Sequence, residues 1–290
     1  MSFENLIGNP KNKELLETAI KNNNLVHSYL FVGEEGIGKD LFAKQFAQMI
    51  LCEHPEGQVP CGRCKSCMEF LGGSHPDFMI VEPEDGKTIK IEQVRFLQEK
   101  IAEKPVTSKK KVYILSQSET MTREAANSLL KTLEEPPEYA VIILTTSNES
   151  KLLTTIKSRC MKIYFLPISE AEILQYVKVH GLENNITENM IKQCSGSIGK
   201  LLKMSEEKEQ YFQVENLIEN IKNTDITQIW KQADVLYNAK ENIIDLLEYM
   251  TIVFFEQLKR TNQICYSNRN YNNRANKEKN FSKYELRYVN

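Results

Sequence analysis

The residues whose types and spacing most clearly suggest chemistry lie in one short segment, Gly33-Glu34-Glu35-Gly36-Ile37-Gly38-Lys39. Glycines at these positions let consecutive backbone N–H groups point at one anion, and the final lysine can reach the outer phosphates of a nucleotide. An apolar, strand-like run precedes the segment and a helical pattern follows it, as such a loop requires. Gly33, Gly36, Gly38 and Lys39 are therefore predicted to form a phosphate-binding loop. The alternative is a glycine-rich turn without a ligand.

Two positions argue against hydrolysis of a nucleotide at this loop. A Ser or Thr hydroxyl that holds Mg²⁺ normally follows the lysine, but this chain has Asp40. Its carboxylate would repel the phosphates that it faces, by about 4 kcal/mol for charges ~4 Å apart at an effective dielectric near 20. A later strand should also end in an acidic residue that organises the metal and activates water, but the run 112–115 is followed by Ser116-Gln117. Binding of ATP or ADP is thus disfavoured, and turnover by this chain alone is not expected.

A second cluster consists of four cysteines with the spacing C-x8-C-x2-C-x2-C, namely Cys52, Cys61, Cys64 and Cys67. Spacings of two residues let neighbouring thiolates converge on one tetrahedral ion, and four thiolates complete a closed structural zinc site. In a reducing compartment the pattern favours a metal over disulfides. A redox Cys-x-x-Cys pair, unliganded thiols and an iron–sulfur cluster are the alternatives. Cys160, Cys194 and Cys265 are predicted to be buried or incidental thiols.

The bulk properties narrow the class of protein. A length of 290 residues allows one or two cores, and a net charge of −2 provides no overall attraction to nucleic acid or to an anionic membrane. No run approaches the ~20 apolar residues of a membrane span, and the first residues lack the pattern of a signal peptide. We therefore expect a cytoplasmic protein. Lys109–Lys111 is interpreted as a solvated edge rather than a DNA contact.

Strands and helices alternate in the first 165 residues, which predicts an α/β layered domain around the loop. Most of the strand-like runs are continuously apolar, as in a parallel sheet that is covered on both faces. The predicted helices are 11–21, 40–51 and 123–135, and Thr122 is predicted to cap the last of them. The five predicted strands are 29–32, 78–81, 112–115, 141–145 and 162–165.

The strand signal stops after Phe165. A capping box at Ser169–Glu172 opens a small helical unit, and helical patterns then continue to about residue 260. We predict an α/β domain at 1–166 with the zinc module at 52–67, a helical lid at 167–205, and a helical domain at 206–290. The tail beyond about residue 265 is predicted to be weakly ordered.

Several motifs together resemble the bacterial clamp-loader branch of the AAA+ family. They are Val112–Gln117, the run Asn127–Pro137 (Asn-Ser-Leu-Leu-Lys-Thr-Leu-Glu-Glu-Pro-Pro), His27–Phe31, and Ser158-Arg159-Cys160 before the fifth strand. The similarity covers about residues 3–205. It implies a P-loop-type, five-stranded parallel sheet with an inserted zinc module, a helical lid, and an all-helical C-terminal domain that packs into a collar.

Motor subunits of that family hydrolyse ATP, and this chain departs from them at three places. They carry an intact loop, an Asp-Glu pair where Ser116-Gln117 stands, and a lid motif Gly-Ser-x-Arg-Asp where this chain has Gly196-Ser197-Ile198-Gly199-Lys200. The resemblance therefore implies a non-motor subunit. The alternatives are a divergent motor subunit that uses Asp40 or Glu119 for the metal, although Glu119 is expected to point away from the loop, and a zinc-dependent nucleic-acid adaptor.

Arg159 matches a functional residue of that family that this chain retains. In the family, the arginine of Ser-Arg-Cys projects into a neighbouring subunit as an arginine finger, and Ser158 and Cys160 flank it here. The alternative is an arginine held in a salt bridge at a strand edge. The implied partners are the gamma/tau motor subunits and the delta subunit of the DNA polymerase III clamp loader, with the sliding clamp and primer-template DNA reached through the assembled complex.

Overall fold

Continuously apolar segments form the strands of one parallel sheet. In the computed structural model, which describes Phe3 and residues 6–57, 59–84, 86–220 and 242–260, the strand order is β2-β3-β4-β1-β5 and every pairing is parallel. All residues of β3 and β4 are buried, because helices cover both faces of the sheet. The strands are β1 Ser28–Val32, β2 Phe78–Val81, β3 Lys111–Leu115, β4 Ala140–Thr146 and β5 Met161–Tyr164.

Helices follow the strands and supply the two outer layers, which confirms the predicted α/β fold. The helices α3, α4 and α6 were not predicted from the sequence, whereas the three predicted helices of this domain, 11–21, 40–51 and 123–135, agree to within one residue. The bounds are α1 Pro10–Lys21, α2 Lys39–Leu51, α3 Lys65–Leu71, α4 Ile91–Ala102, α5 Arg123–Glu134, α6 Thr154–Lys157, α7 Glu170–Val179, α8 Glu188–Gln193, α9 Ile198–Glu206 and α10 Lys208–Asn220.

Each face of the sheet has its own core because successive side chains of a strand point to opposite sides. In β1, Tyr29 and Phe31 pack with Phe46 of α2 on one face. Leu30 packs on the other face with residues of α4 and α5 such as Leu97 and Leu129. The carboxyl edge of the sheet, where β1 meets the glycine loop, is therefore held in place by packing on both faces of the sheet.

Predicted caps fix the starts of two helices. Thr122 accepts a hydrogen bond from Ala125 N (3.2 Å) at the start of α5. Ser169 and Glu172 form the expected capping box of α7. Both helices thus begin where the sequence indicated, since a side-chain oxygen replaces a missing backbone acceptor.

The chain divides into two compact units, one comprising Met1–Leu182 with Cys194–Leu202 and the other Glu183–Gln193 with Lys203–Asn290. In the second unit, Thr187 and Glu215 meet the hydroxyl of Tyr249, which lies in a helix at 243–260. The predicted tail and Cys265 lie outside the described residues. None of the described helices combines the length and the apolar character needed to cross a membrane.

Candidate functional site

The glycine loop lies between the carboxyl end of β1 and the first residue of α2. Gly36 and Gly38 have φ values of 73° and 100°, a region that side chains with a Cβ rarely adopt. The loop therefore has the backbone conformation that the glycines predicted, and the N-terminus of α2 points toward it.

Lys39 does not extend into solvent. It is only 6% exposed, and its Nζ donates to the carbonyl oxygens of Gly33 (2.8 Å) and Glu34 (2.7 Å). Burial lowers the pKa of this amine, although the neighbouring carboxylates of Asp40 and Glu119 oppose that shift. The amine that would meet a phosphate is thus bound to the carbonyls of its own loop.

Asp40 and Ser116, the two residues that depart from an ATPase, are in direct contact. Oδ1 of Asp40 accepts hydrogen bonds from Ser116 Oγ (2.8 Å) at the end of β3 and from Thr145 Oγ1 (2.8 Å) in β4. Bonds to a charged acceptor are among the stronger hydrogen bonds in proteins. The carboxylate therefore ties the start of α2 to the ends of two strands, in the position where a magnesium ion would need free oxygen ligands.

Glu119 lies at the same edge of the sheet, which corrects the expectation that it points away from the loop. Its Oε1 accepts from the backbone N of Ser147 (2.9 Å) and from the Ser147 hydroxyl. Burial would raise the pKa of Glu119, but the hydrogen bonds from Ser147 outweigh burial and hold the pKa below its ordinary value. Glu119 is thus an anion with one oxygen, Oε1, bonded to the turn after β4, while its Oε2 is buried without a hydrogen-bond partner among the described residues.

Residues 197–199 of the predicted lid lie directly on the glycine loop, and both segments belong to the first unit. Gly199 N donates to Gly36 O (2.9 Å), and Ser197 Oγ donates to Glu35 O (2.9 Å). A Cβ on Gly199 would stand 2.7 Å from the Cα of Gly36. The position where the motor subunits carry an arginine therefore has no room for a side chain, a constraint that the sequence did not reveal.

An apolar cavity of about 250 Å³ lies beside the loop. Ile37, Phe42, Tyr176 and Ile198 are among its lining residues, and its volume and apolar walls could accommodate a flat base. The phosphate side of the site does not fit a magnesium nucleotide, because Lys39 and Asp40 are bonded to protein atoms and Gly199 covers Gly36.

The four predicted zinc ligands come together. The Sγ atoms of Cys52, Cys61, Cys64 and Cys67 all lie within 4.8 Å of one another, close to the ~3.8 Å separation that tetrahedral Zn–S bonds of about 2.3 Å imply. The backbone N–H groups of three of these cysteines donate to neighbouring sulfurs at 3.3–3.4 Å. Such bonds stabilise thiolates, so the donor set fits a structural zinc ion. His54 is not part of this group.

A buried polar network that the sequence did not indicate supports the zinc module. Asp77 is fully buried, and its carboxylate accepts from the backbone N–H groups of Val106 (2.8 Å), Thr107 (2.7 Å) and Ser108 (2.8 Å). His75 Nε2 lies 2.9 Å from Ser66 Oγ of α3. The network fastens α3 to the body of the sheet, and no spacing rule could have found it because its members come from separate loops.

The stability of the protein should fall as the pH is lowered from 7 to 5, because burial lowers the pKa of His75 below its ordinary 6.5 despite the opposing charges of Asp77, Glu69 and Glu53. The unfolded chain then binds a proton that the folded chain does not, so this stabilisation is complete above pH ~6.5 and is lost below it, by up to about 1.4 kcal/mol per pH unit. Urea unfolding at pH 7, 6 and 5 measures the slope.

The variant His75→Gln should show a flatter dependence than the wild type over this pH range. Exposed His27, changed in the same way, is the matched control and should leave the slope unchanged. Equal slopes for wild type and His75→Gln would contradict this assignment.

Arg159 lies between α6 and β5 and is held by its own chain. Nη1 donates to Thr155 O (2.8 Å), and Nη2 forms an ion pair with Glu134 at the end of α5. Its side chain is 31% exposed. The salt bridge expected of a purely structural arginine is therefore present, yet the side chain remains partly exposed to solvent.

The two residues beside Arg159 belong to the turn that carries it. Ser158 Oγ donates to Thr155 O (3.1 Å), and burial raises the pKa of the Cys160 thiol to about 11. A buried neutral thiol packs as a small apolar group. Ser158 and Cys160 thus shape and anchor the turn, which leaves Arg159 as its charged, accessible residue.

Comparison with known proteins agrees with this geometry. A family model described as DNA polymerase III, delta subunit, matches residues 8–169, more than half of the 290-residue chain. The chain belongs to the DNA polymerase III delta-subunit family. The match includes the glycine loop, the cysteine cluster and Arg159, so the membership covers every part of the site described above except the lid.

Curated relatives place this member of the delta-subunit family near delta′ subunits. It is 40% identical to subunit delta′ of Bacillus subtilis over 164 residues, 57% of this chain and 49% of the relative. It is 42% identical to subunit delta′ of Pseudomonas aeruginosa over 137 residues, 47% of this chain and 42% of the relative. These matches confirm the resemblance to clamp-loader subunits and identify a delta′-like protein.

Tau/gamma subunits match as well. Subunit tau/gamma of Haemophilus influenzae is 32% identical over 212 residues, which are 71% of this chain and 30% of the relative. The chain thus spans half or less of the length of these curated relatives. A RuvB mutant from Thermotoga maritima, with a TM-score of 0.50 and 14% identity over 81% of this chain and 72% of that one, agrees with the fold alone.

Proposed function

We propose that this chain is a non-motor subunit of the DNA polymerase III clamp loader, a stator that helps to load the sliding clamp onto primed DNA without hydrolysing ATP itself. The observation that carries this proposal is the contact of Asp40 with Ser116 and Thr145. Where a motor would carry a hydroxyl for magnesium and an acidic residue at the strand end, this chain has a carboxylate and a hydroxyl that are bonded to each other. The delta′ relatives support the same conclusion.

We assign to Arg159 a catalytic role in trans, at the ATP site of a neighbouring subunit. An arginine that reaches a neighbour's ATP stabilises the charge that develops on the transferring phosphate. Its support is the partly exposed side chain of Arg159 on a turn that Ser158 and Cys160 anchor. The proposed enzymatic activity therefore belongs to the assembled polymerase complex, and this chain completes a partner's active site.

The proposed partners are the gamma/tau motor subunits and the delta subunit, with the clamp and the primer-template DNA contacted through the complex. Residues 1–166 are proposed as the AAA+ domain with a structural zinc module, 167–205 as the lid, and 206–290 as the collar domain. Zinc would fix the module's fold and take no part in chemistry, since four thiolates leave no position for water. Such an assembly acts on chromosomal DNA, so we place it in the cytoplasm.

A divergent motor subunit is the second candidate, favoured by the position of Glu119 at the loop edge and by the tau/gamma relatives. The two candidates differ in what the isolated chain does with ATP. The stator should release phosphate no faster than its Lys39→Ala variant. A rate that exceeds this control by tenfold or more would favour the motor and reject the stator.

Reconstitution of the assembly tests the proposed role of Arg159 in trans. Motor subunits whose own motif arginine has been replaced by alanine should hydrolyse ATP slowly by themselves, and adding the wild-type chain should accelerate hydrolysis and clamp loading. In this assay the site that faces the added chain is the one site with an arginine finger. Assembly without acceleration would refute a role in trans.

A further inference from the structure

Arg159 and Glu134 form a contact that joins two motifs lying 25 residues apart. Glu134 is the last residue of α5, and one of its carboxylate oxygens accepts from Nη2 while the carbonyl of Thr155 accepts from Nη1. A guanidinium carries five N–H donors in a rigid plane. Two acceptors on different nitrogens fix the orientation of that plane and leave donors for another ligand.

The carboxylate of Glu134 lies at a helix C-terminus, where negative charge is disfavoured. The C-terminus of a helix carries partial negative charge, which disfavours acidic residues there, yet α5 ends in Glu134 and is followed by Glu135. The ion pair is partly solvated, with 31% of the arginine and 48% of the glutamate side chain exposed. Pairs of this kind contribute little to stability, so folding alone does not explain the arrangement. Conflicts between sequence and local structure are typical of functional positions.

We infer that Glu134 is a positioning residue for Arg159: it holds the guanidinium in the orientation from which the arginine reaches a neighbouring subunit's ATP. This inference rests on the proposed function of Arg159. A free arginine side chain loses many rotamers when it binds a phosphate, whereas a held one has lost them beforehand. Small errors in the placement of such a group reduce rates steeply.

The same contact could instead act as a brake, because a carboxylate also attracts the guanidinium away from a phosphate. Glu134→Gln separates the two effects, since the amide keeps an oxygen acceptor for Nη2 and removes the negative charge. A neutral acceptor forms a hydrogen bond about half as strong as a charged one. If Glu134 positions the arginine, the wild type should be fastest, Glu134→Gln slower and Glu134→Ala slowest. If the contact acts as a brake, the order should be reversed.

The test uses the full chain in the reconstituted assembly with finger-less motor subunits. Glu134→Ala should lower kcat for ATP hydrolysis by about tenfold, and Glu134→Gln by about threefold, while KM for ATP stays within about twofold because a finger acts in the transition state. Glu135→Ala removes the same charge one residue later and is the matched control. It should leave kcat unchanged, and all three variants should keep the wild-type melting temperature within a few degrees.

The double variant Glu134→Ala with Arg159→Ala should be no slower than Arg159→Ala alone, because Glu134 acts through Arg159. Three results would overturn the inference: a further loss in the double variant, a wild-type rate in Glu134→Ala, or a faster rate in either Glu134 variant. None of them would contradict the proposed role of Arg159 as an arginine finger. If Arg159→Ala alone has no effect, the proposed function fails, and with it this inference. Should the alanine variant not assemble, Glu134→Gln decides by the same criteria.

Discussion

Replacing Arg159 by alanine should slow ATP hydrolysis at the facing motor site by about a thousandfold, the lower end of the effects measured for arginine fingers in GTPases. That loss corresponds to about 4 kcal/mol of transition-state stabilisation. The folded chain should lose little, because the pair of Arg159 with Glu134 is partly exposed and contributes little to stability. Single-turnover hydrolysis in the assembly with finger-less motor subunits measures the effect.

Arg159→Lys distinguishes charge from geometry in the same assay. Lysine keeps the positive charge but lacks the planar set of donors, so its rate should lie between those of the wild type and the alanine variant. Arg95→Ala removes an exposed arginine on α4 and is the matched control for surface charge. A full rate in a properly assembled Arg159→Ala complex would disprove the role in trans.

Removal of the metal should have the second large effect. The purified protein should contain about one zinc per chain, and Cys64→Ser should lose it, because three thiolates leave the coordination incomplete. The module should then unfold locally, since α3 is short and two of its residues, Ser66 and Cys67, are buried against the network and the cysteine cluster. Metal analysis, together with limited proteolysis of the segment 52–74, measures both outcomes.

Cys194→Ser is the control for the zinc experiment, because Cys194 is a buried thiol outside the cluster. It should retain the metal and the protease resistance of the wild type. Chelation of zinc from the wild type should reproduce the Cys64→Ser pattern and should not unfold the sheet, because neither of its two cores includes the four cysteines. Protein prepared anaerobically without any bound metal would contradict the prediction.

The sequence predicted well those features that depend on neighbouring residues. The strand runs were found within one residue, most clearly for β3 and β4, which are buried on both faces and therefore almost continuously apolar. The cysteine spacing and the caps at Thr122 and Ser169 were found because each motif lies within one short segment.

The features that the sequence did not predict are contacts between residues that are far apart along the chain. Asp40 meets Ser116 and Thr145 across 76 and 105 residues, and only the fold brings these positions together. The sequence showed that the lid arginine is lost, but not that Gly199 replaces it at a point of backbone contact. Likewise, the sequence placed Glu134 inside the predicted helix 123–135 and did not indicate its contact with Arg159.

For the non-motor subunit proposed above, the docking of Gly199 on Gly36 would make a return to motor activity by single mutations difficult. An arginine at position 199 would collide with the backbone of the loop. An aspartate at position 116 would place a second carboxylate against Asp40, where the Ser116 hydroxyl now donates, and paired like charges in a partly buried site are unfavourable. In the proposed stator, each of these substitutions would be unfavourable before the others are made, so the contacts of Gly199 and Asp40 would oppose a stepwise return to ATP hydrolysis.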